Sequence, residues 1–177
     1  SCHRQGAGYD FSRKKMFDGL DMTGVFSPTS SALTWDFIAR IRDVTKKRLL
    51  LKGIMTAEDA EIAVKRGVDG IIVSNHGGRQ MDGALSSIAA LPAIVDAVGE
   101  RAEVILDGGV RRGSDVVKAV ALGAKAVMAG RVHFYALGAG GERGVDHVLG
   151  LLDAGVRRTM ALVGATNVDE ITRDLLE

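Results

Sequence analysis

His76 and Arg79 stand three residues apart in the stretch Ile71-Ile72-Val73-Ser74-Asn75-His76-Gly77-Gly78-Arg79-Gln80-Met81-Asp82. The apolar start reads as a buried strand and the polar remainder as the loop leaving it. Histidine titrates near neutral pH and can act as a base. Arginine presents a planar fork that matches a carboxylate. A base and a fixed cation on one strand-end loop suit chemistry on a small organic anion, and Gly77 and Gly78 let the backbone approach a ligand closely. The blander reading, a loop histidine that only forms hydrogen bonds, is disfavoured by the arginine three residues on. Asp82 is expected to pair with Arg79 or with Lys52.

Further polar groups follow apolar runs. Lys52 closes Arg48-Leu49-Leu50-Leu51-Lys52 and could stabilise a developing anion, or could simply reach to solvent. The run Glu103 to Leu106 leads into Asp107-Gly108-Gly109-Val110-Arg111-Arg112-Gly113, and Ala126 to Ala129 leads into Gly130-Arg131. Adjacent glycine loops with free amides and nearby arginines make a phosphate site. The alternative is that the glycines serve tight packing and the arginines are surface charges. His3, His133 and His147 lack comparable company, and no metal-binding set is read.

The elements that must position these groups alternate. Helices are expected over Thr34–Lys46, from Thr56 to Gly67, from Ser86 or Ser87 to Val98, from a Ser114 cap to Leu122, over Val145–Leu152 and over Val168–Leu176. Pro92 is expected to set off the first turn of the third of these, and Gly140-Gly141 to interrupt the long C-terminal helical region. Strands are expected at Arg48–Lys52, Gly70–Val73, Glu103–Leu106 and Ala126–Ala129. An internal repeat supports the parse. Leu49-Leu50-Leu51-Lys52-Gly53-Ile54 aligns with Ile105-Leu106-Asp107-Gly108-Gly109-Val110, and Ile71-Ile72-Val73-Ser74 with Val127-Met128-Ala129-Gly130, so a β-α-β unit occurs twice. Alternating strands and helices imply a parallel α/β architecture, in which ligands bind at the carboxyl ends of the strands. Lys52, Ser74, Asp107 and Gly130 all fall there.

Composition narrows the function classes. A net charge of +1 points to neither nucleic acid nor an anionic membrane. The single Cys2 excludes an internal disulfide framework. No signal peptide pattern and no bilayer-spanning apolar run is visible, so a cytoplasmic location is expected. Residues 1–33, rich in Gly, Ser, Arg and Lys, read as a variable, mobile loop segment, and residues 34–177 as the folded part.

The motifs Leu51-Lys52-Gly53, Val73-Ser74-Asn75-His76-Gly77-Gly78-Arg79-Gln80, Asp107-Gly108-Gly109-Val110-Arg111-Arg112-Gly113-Ser114-Asp115 and Gly130-Arg131 resemble those of the FMN-dependent 2-hydroxy acid oxidising enzymes. These include glycolate oxidase, lactate oxidase, lactate monooxygenase, mandelate dehydrogenase and flavocytochrome b2. The resemblance runs from Thr34 to the C-terminus and implies a (β/α)8 TIM barrel of which this chain supplies the last four βα units. It implies FMN as cofactor, with Lys52 near the pyrimidine end of the flavin and Ser74 in contact with it. Asp107, Gly108, Gly109, Val110 and Arg111 would bind ribityl and phosphate, and Gly130 and Arg131 would complete the phosphate cradle. His76 would take the substrate hydroxyl proton while the C2 hydrogen passes to flavin N5 as hydride, and Arg79 would clamp the carboxylate. His133 would lie at the cofactor edge at most.

The chain departs from that pattern. Val132 follows Arg131 where the family usually has proline, and the strands of the N-terminal half, with further substrate contacts and the aspartate that orients the histidine, are not in this sequence. A complete barrel takes roughly 250 residues. The expected partners are therefore a small 2-hydroxy acid, the N-terminal half of the same barrel, and further copies in a homo-oligomer, a tetramer being favoured; no nucleic acid is expected. The competing readings are another FMN-barrel enzyme and a non-catalytic half barrel that only binds FMN or phosphate.

Overall fold

A computed structural model of the chain describes residues 33–176. The expected loop of residues 1–33 lies almost wholly outside them. Four strands, β1 (Leu50–Ile54), β2 (Gly70–Ser74), β3 (Glu103–Asp107) and β4 (Ala126–Met128), pair in chain order, each parallel to the next. The helices are α1 (Trp35–Val44), α2 (Ala57–Lys65), α3 (Ser87–Val98), α4 (Gly113–Ala121) and α5 (Arg131–Val163). The parallel α/β reading holds.

Strand parity decides what each face does. Ile71, Val73, Val104 and Leu106 point one way and are almost fully buried, packed with Ala60, Ala63, Leu91, Ile94 and Val98 of α2 and α3. The alternate residues face the other way. Ile72 pairs with Ile105 and with Lys52, and Ser74 pairs with Asp107, so these five share one face of the sheet. The helix-covered face is the core. The opposite face carries the polar chemistry at the carboxyl ends.

Local signals explain the ends of the elements. Thr56 caps α2 by accepting from the Asp59 N–H at 3.2 Å. At the amino-terminal edge of the sheet, Arg42 of α1 ties the chain together. It bonds the carbonyls of Thr45 and Lys47 at 2.7 Å each and Asp69 at 2.8 Å, while Asp69 accepts the Leu49 N–H at 2.7 Å.

Several expectations need correction. β1 runs on through Gly53 and Ile54, so Lys52 is a mid-strand residue. The register shifts between Lys52 and Ile54, a bulge that Gly53 permits with φ +102°. Pro92 does not divide α3, because it loses a single helical hydrogen bond and the buried stripe on either side holds the helix together. Ser114 is not the cap of α4. Arg112 occupies the cap position, and Asp115 reaches back to accept the N–H groups of Arg111 and Arg112 at 2.9 Å each. Val168–Leu176 forms two short 3-10 turns, Val168–Glu170 and Arg173–Leu176. Gly140 and Gly141 do leave helical geometry inside α5, as expected, but the helix after them continues to Val163.

α4 and α5 meet where two glycines face each other. A β-carbon on Gly113 would fall 2.1 Å from the Gly155 carbonyl carbon, whereas one on Gly155 would approach Gly113 only to 3.1 Å. Gly113→Ala is therefore expected to destabilise the chain by about 1–3 kcal/mol through overpacking against backbone. Gly155→Ala should cost less, and urea denaturation of the two variants checks the order.

Candidate active site

Three adjacent strands contribute one hydrogen-bonded cluster. Asp107 Oδ2 accepts from Lys52 Nζ at 2.8 Å and from Ser74 Oγ at 2.5 Å, and Lys52 Nζ also lies 2.8 Å from Ser74 Oγ. Ser74 is fully buried, and the Asp107 side chain retains 16% of its exposure. Burial works to raise the Asp107 pKa, but hydrogen bonds from Lys52 and Ser74, with the charges of Lys52 and His76, outweigh it and hold the carboxyl below its usual range. Asp82 does not join this cluster. Lys52 takes Asp107, the carboxylate two strands away on its own face, and Asp82 lies exposed on the loop with no ion pair among the described residues.

The turn after β2 brings His76 to the same place. Ser74 Oγ accepts the His76 N–H at 3.1 Å. His76 has φ +55°, and it is the one non-glycine residue with positive φ among the described residues. Such a conformation costs about 1–2 kcal/mol for an L-residue. Its imidazole lies over the β1 bulge, where a β-carbon on Gly53 would come within 3.0 Å of His76 Cε1. No side chain of the described residues hydrogen-bonds the ring, which is exposed. Arg79 is exposed too, with its guanidinium unpaired among the described residues.

The glycine turns have two characters. Gly108, φ +107°, packs closely, since a β-carbon there would sit 3.0 Å from Ser87 Oγ. Gly109 and Gly130 face open space, and Val110 is buried beneath the turn. Arg111 is exposed and gives only its backbone N–H, to Asp115. Arg131 reaches away from this turn and donates to the Gly77 carbonyl at 3.1 Å. His133 bonds the Ala129 carbonyl at 2.6 Å and stacks on Phe134, and His147 is exposed on α5. A separate groove of about 380 Å3 lies between the Arg111–Ser114 turn and α5, with Leu151, Gly155 and Arg158 on its far wall, and takes in none of Lys52, Ser74, His76 or Asp107.

Asn75 and Ser87 are the residues that sequence reasoning left without a role. An Asn directly before a His-Gly pair is the sequence signature of an Asx turn and could have been read. Ser87 resembled a helix cap and gave no separate signal.

The family model described as FMN-dependent dehydrogenase matches residues 5–177. The chain belongs to this family. It is 50% identical over 145 residues to an L-lactate dehydrogenase of Alcaligenes faecalis, covering 82% of this chain and 38% of the relative. It is 50% identical over 151 residues to human 2-Hydroxyacid oxidase 2, covering 85% of this chain and 43% of the relative. A crystal structure of mandelate oxidase with benzoyl-formic acid matches with a TM-score of 0.77 at 48% identity, covering 80% of this chain and 42% of that one. The chain thus spans about two fifths of the length of these relatives, and its parallel sheet is part of their TIM barrel.

FMN is the cofactor of this family. The donor set fits such a group: a serine and a carboxylate at neighbouring strand ends with a lysine reaching them from the adjacent strand, then two open glycines and, on the loops that follow, an arginine whose side chain is unpaired among the described residues. Among the described residues no helix is long and apolar enough to cross a membrane.

Because the folded Asp107 pKa is depressed, its contribution to stability is present above the ordinary carboxylate pKa and is lost as pH falls through the folded value. Urea midpoints measured downward from about pH 5 should fall less steeply in Asp107→Asn than in the parent. Equal slopes would show that Asp107 carries none of the acid sensitivity.

Proposed function

We propose that this chain forms the C-terminal half of an FMN-dependent enzyme that oxidises a small L-2-hydroxy acid to the 2-oxo acid. The observation that carries the reading is the convergence of the Lys52–Ser74–Asp107 cluster and His76 at the carboxyl ends of three neighbouring strands.

FMN, when bound, supplies the acceptor for the C2 hydrogen. Lys52 holds a positive charge on the inner face, where it stabilises negative charge on the ring system, and Ser74 offers its hydroxyl beside it. Asp107 keeps that lysine in place and serves the ribityl chain. Gly108, Gly109, Val110 and Arg111, with Gly130, would form the phosphate cradle, and Arg131 would complete it by turning back from its bond to the Gly77 carbonyl. His76 takes the substrate hydroxyl proton, and its exposed ring leaves both nitrogens available for that exchange and for an orienting partner. Arg79, on the same loop and unpaired among the described residues, clamps the carboxylate in the plane of its guanidinium. The remaining barrel strands supply the orienting group for His76 and the walls that choose the substrate.

The names of these relatives support the substrate class, since lactate, 2-hydroxy acids and mandelate share one carboxylate and one hydroxyl on adjacent carbons. The proposal takes the enzyme as an oxidase, monooxygenase or dehydrogenase of 2-hydroxy acids and, separately, further copies of itself as oligomeric partners. One observation favours a second reading for the chain in isolation: the described residues offer the His76 ring no hydrogen-bond partner, so a half barrel on its own would bind FMN without turnover.

Anaerobic addition of L-lactate, glycolate and mandelate to the FMN-loaded full-length protein tests the function, and bleaching of the flavin by one of them is the expected result. His76→Gln should keep the flavin spectrum while the reduction rate falls by about 10²–10⁴-fold, the usual contribution of a positioned base. Arg79→Lys should lose about ten- to a hundredfold in kcat/KM, the worth of a charged hydrogen-bond pair, with FMN affinity unchanged. A kinetically silent Arg79→Lys would remove the carboxylate assignment.

A further inference from the structure

His76 sits inside a run of three left-handed residues, with Gly77 at φ +68° and Gly78 at φ +73° after it. Something must hold that run against relaxation, because a right-handed His76 would swing its side chain off the β1 bulge. Beside the Ser74 hydroxyl on the His76 N–H and the Arg131 guanidinium on the Gly77 carbonyl, two further side chains hold the run and anchor it to α3. Asn75 Oδ1 accepts the Gly77 N–H at 3.0 Å, and Asn75 Nδ2 donates to the Leu85 carbonyl at 3.1 Å. The Asn75 N–H in turn donates to Ser87 Oγ at 3.3 Å, and Ser87 is only 2% exposed at the first turn of α3. The same two groups press on the neighbouring turn, since a β-carbon on Gly108 would come within 3.0 Å of Ser87 Oγ and 3.4 Å of Asn75 Oδ1.

We propose that Asn75 and Ser87 are positioning residues that lock the His76 turn in its left-handed form, anchor it to α3, and so fix the direction of the imidazole. This inference rests on the 2-hydroxy acid oxidation proposed above for its kinetic consequence, but its structural content does not. Asn75 replaces two backbone hydrogen bonds that an irregular turn would leave unmade. Ser87 places a buried hydroxyl where Asn75 needs an acceptor, so that the position of α3 relative to β2 sets the position of the base. Gly108 leaves room for both, which gives that glycine a packing role besides any cofactor contact.

The test uses the full-length, FMN-loaded protein and the variants Asn75→Ala, Asn75→Asp, Ser87→Ala and Ser87→Thr. Asn75→Ala is expected to slow flavin reduction by saturating L-lactate by about 10²-fold, the cost of a misplacement near 1 Å. FMN affinity, read by fluorescence quenching, should stay within about twofold, because neither residue is needed to bind the cofactor. Asn75→Asp keeps the acceptor for Gly77 and should recover part of the loss, and Ser87→Thr should recover what Ser87→Ala loses. A parental reduction rate in both alanine variants overturns the proposal. So does an equal fall of reduction rate and FMN affinity in every variant, which would mark a general structural role. Hydrogen exchange of the segment from Ser74 to Gln80 by mass spectrometry is independent of turnover and should accelerate in Asn75→Ala. Unchanged exchange overturns the proposal even if no hydroxy acid reduces the parent, whereas a parent that is not reduced but exchanges faster on Asn75→Ala defeats only the functional reading.

Discussion

One oxygen atom organises the carboxyl edge of the sheet. Asp107 Oδ2 receives both the Lys52 ammonium and the Ser74 hydroxyl, so a single acceptor joins three consecutive strands at the level where the backbone ladder ends. A carboxylate so placed pays a desolvation cost, and only the charge of the lysine and the short bond from the serine make the ionised form favourable there. The arrangement depends on parity. A slip of one residue in the β2–β3 pairing would send Ser74 or Asp107 toward the helices and bury an unpaired polar group in the core. The hydrophobic face with Ile71, Val73, Val104 and Leu106 enforces the register, and the polar cluster inherits it.

The β1 bulge completes the geometry from the other side. Gly53 steps the strand out of register after Lys52, which returns Ile54 to the core and leaves a shallow place above the bulge with no side chain in it. His76 occupies the space over that place. The reach of Arg131 to the Gly77 carbonyl then ties the far end of the sheet to the same turn. Residues from β1, β2, β3 and the start of α5 thereby constrain one loop of a few residues.

Much of this was legible in the amino-acid order. The alternation of apolar runs with capped helices gave the strands to within two residues, and the abrupt passage from apolar to polar at Ser74 and Asp107 marked the chemical edge. What the order could not show was direction. Lys52 read as the end of a strand because Gly53 looks like the start of a loop, whereas in the fold the glycine serves a bulge and the strand goes on. Ser114 read as a cap because serine often is one, but Asp115, the third residue of the helix, offers a charged acceptor to two N–H groups at once. Asp82 looked available to Lys52 in sequence, but Asp107 lies on the lysine's own face and Asp82 does not. In each case the competing partner is remote in sequence or differs by a single position, and local pattern carries no information about it.

The repeat seen in the sequence has a counterpart in how the sheet is joined. One β-α-β copy contributes β1 and β2, the other β3 and β4, and the two are stitched together by the β2–β3 pairing. The lysine and the serine come from the first copy and the carboxylate from the second. The charged cluster therefore belongs to neither copy but to the seam between them. In a lineage that grew by duplication, the ancestral single unit would have held one half of this arrangement at an open edge, and joining two units would have closed the circuit of charge without adding any new kind of residue to the core.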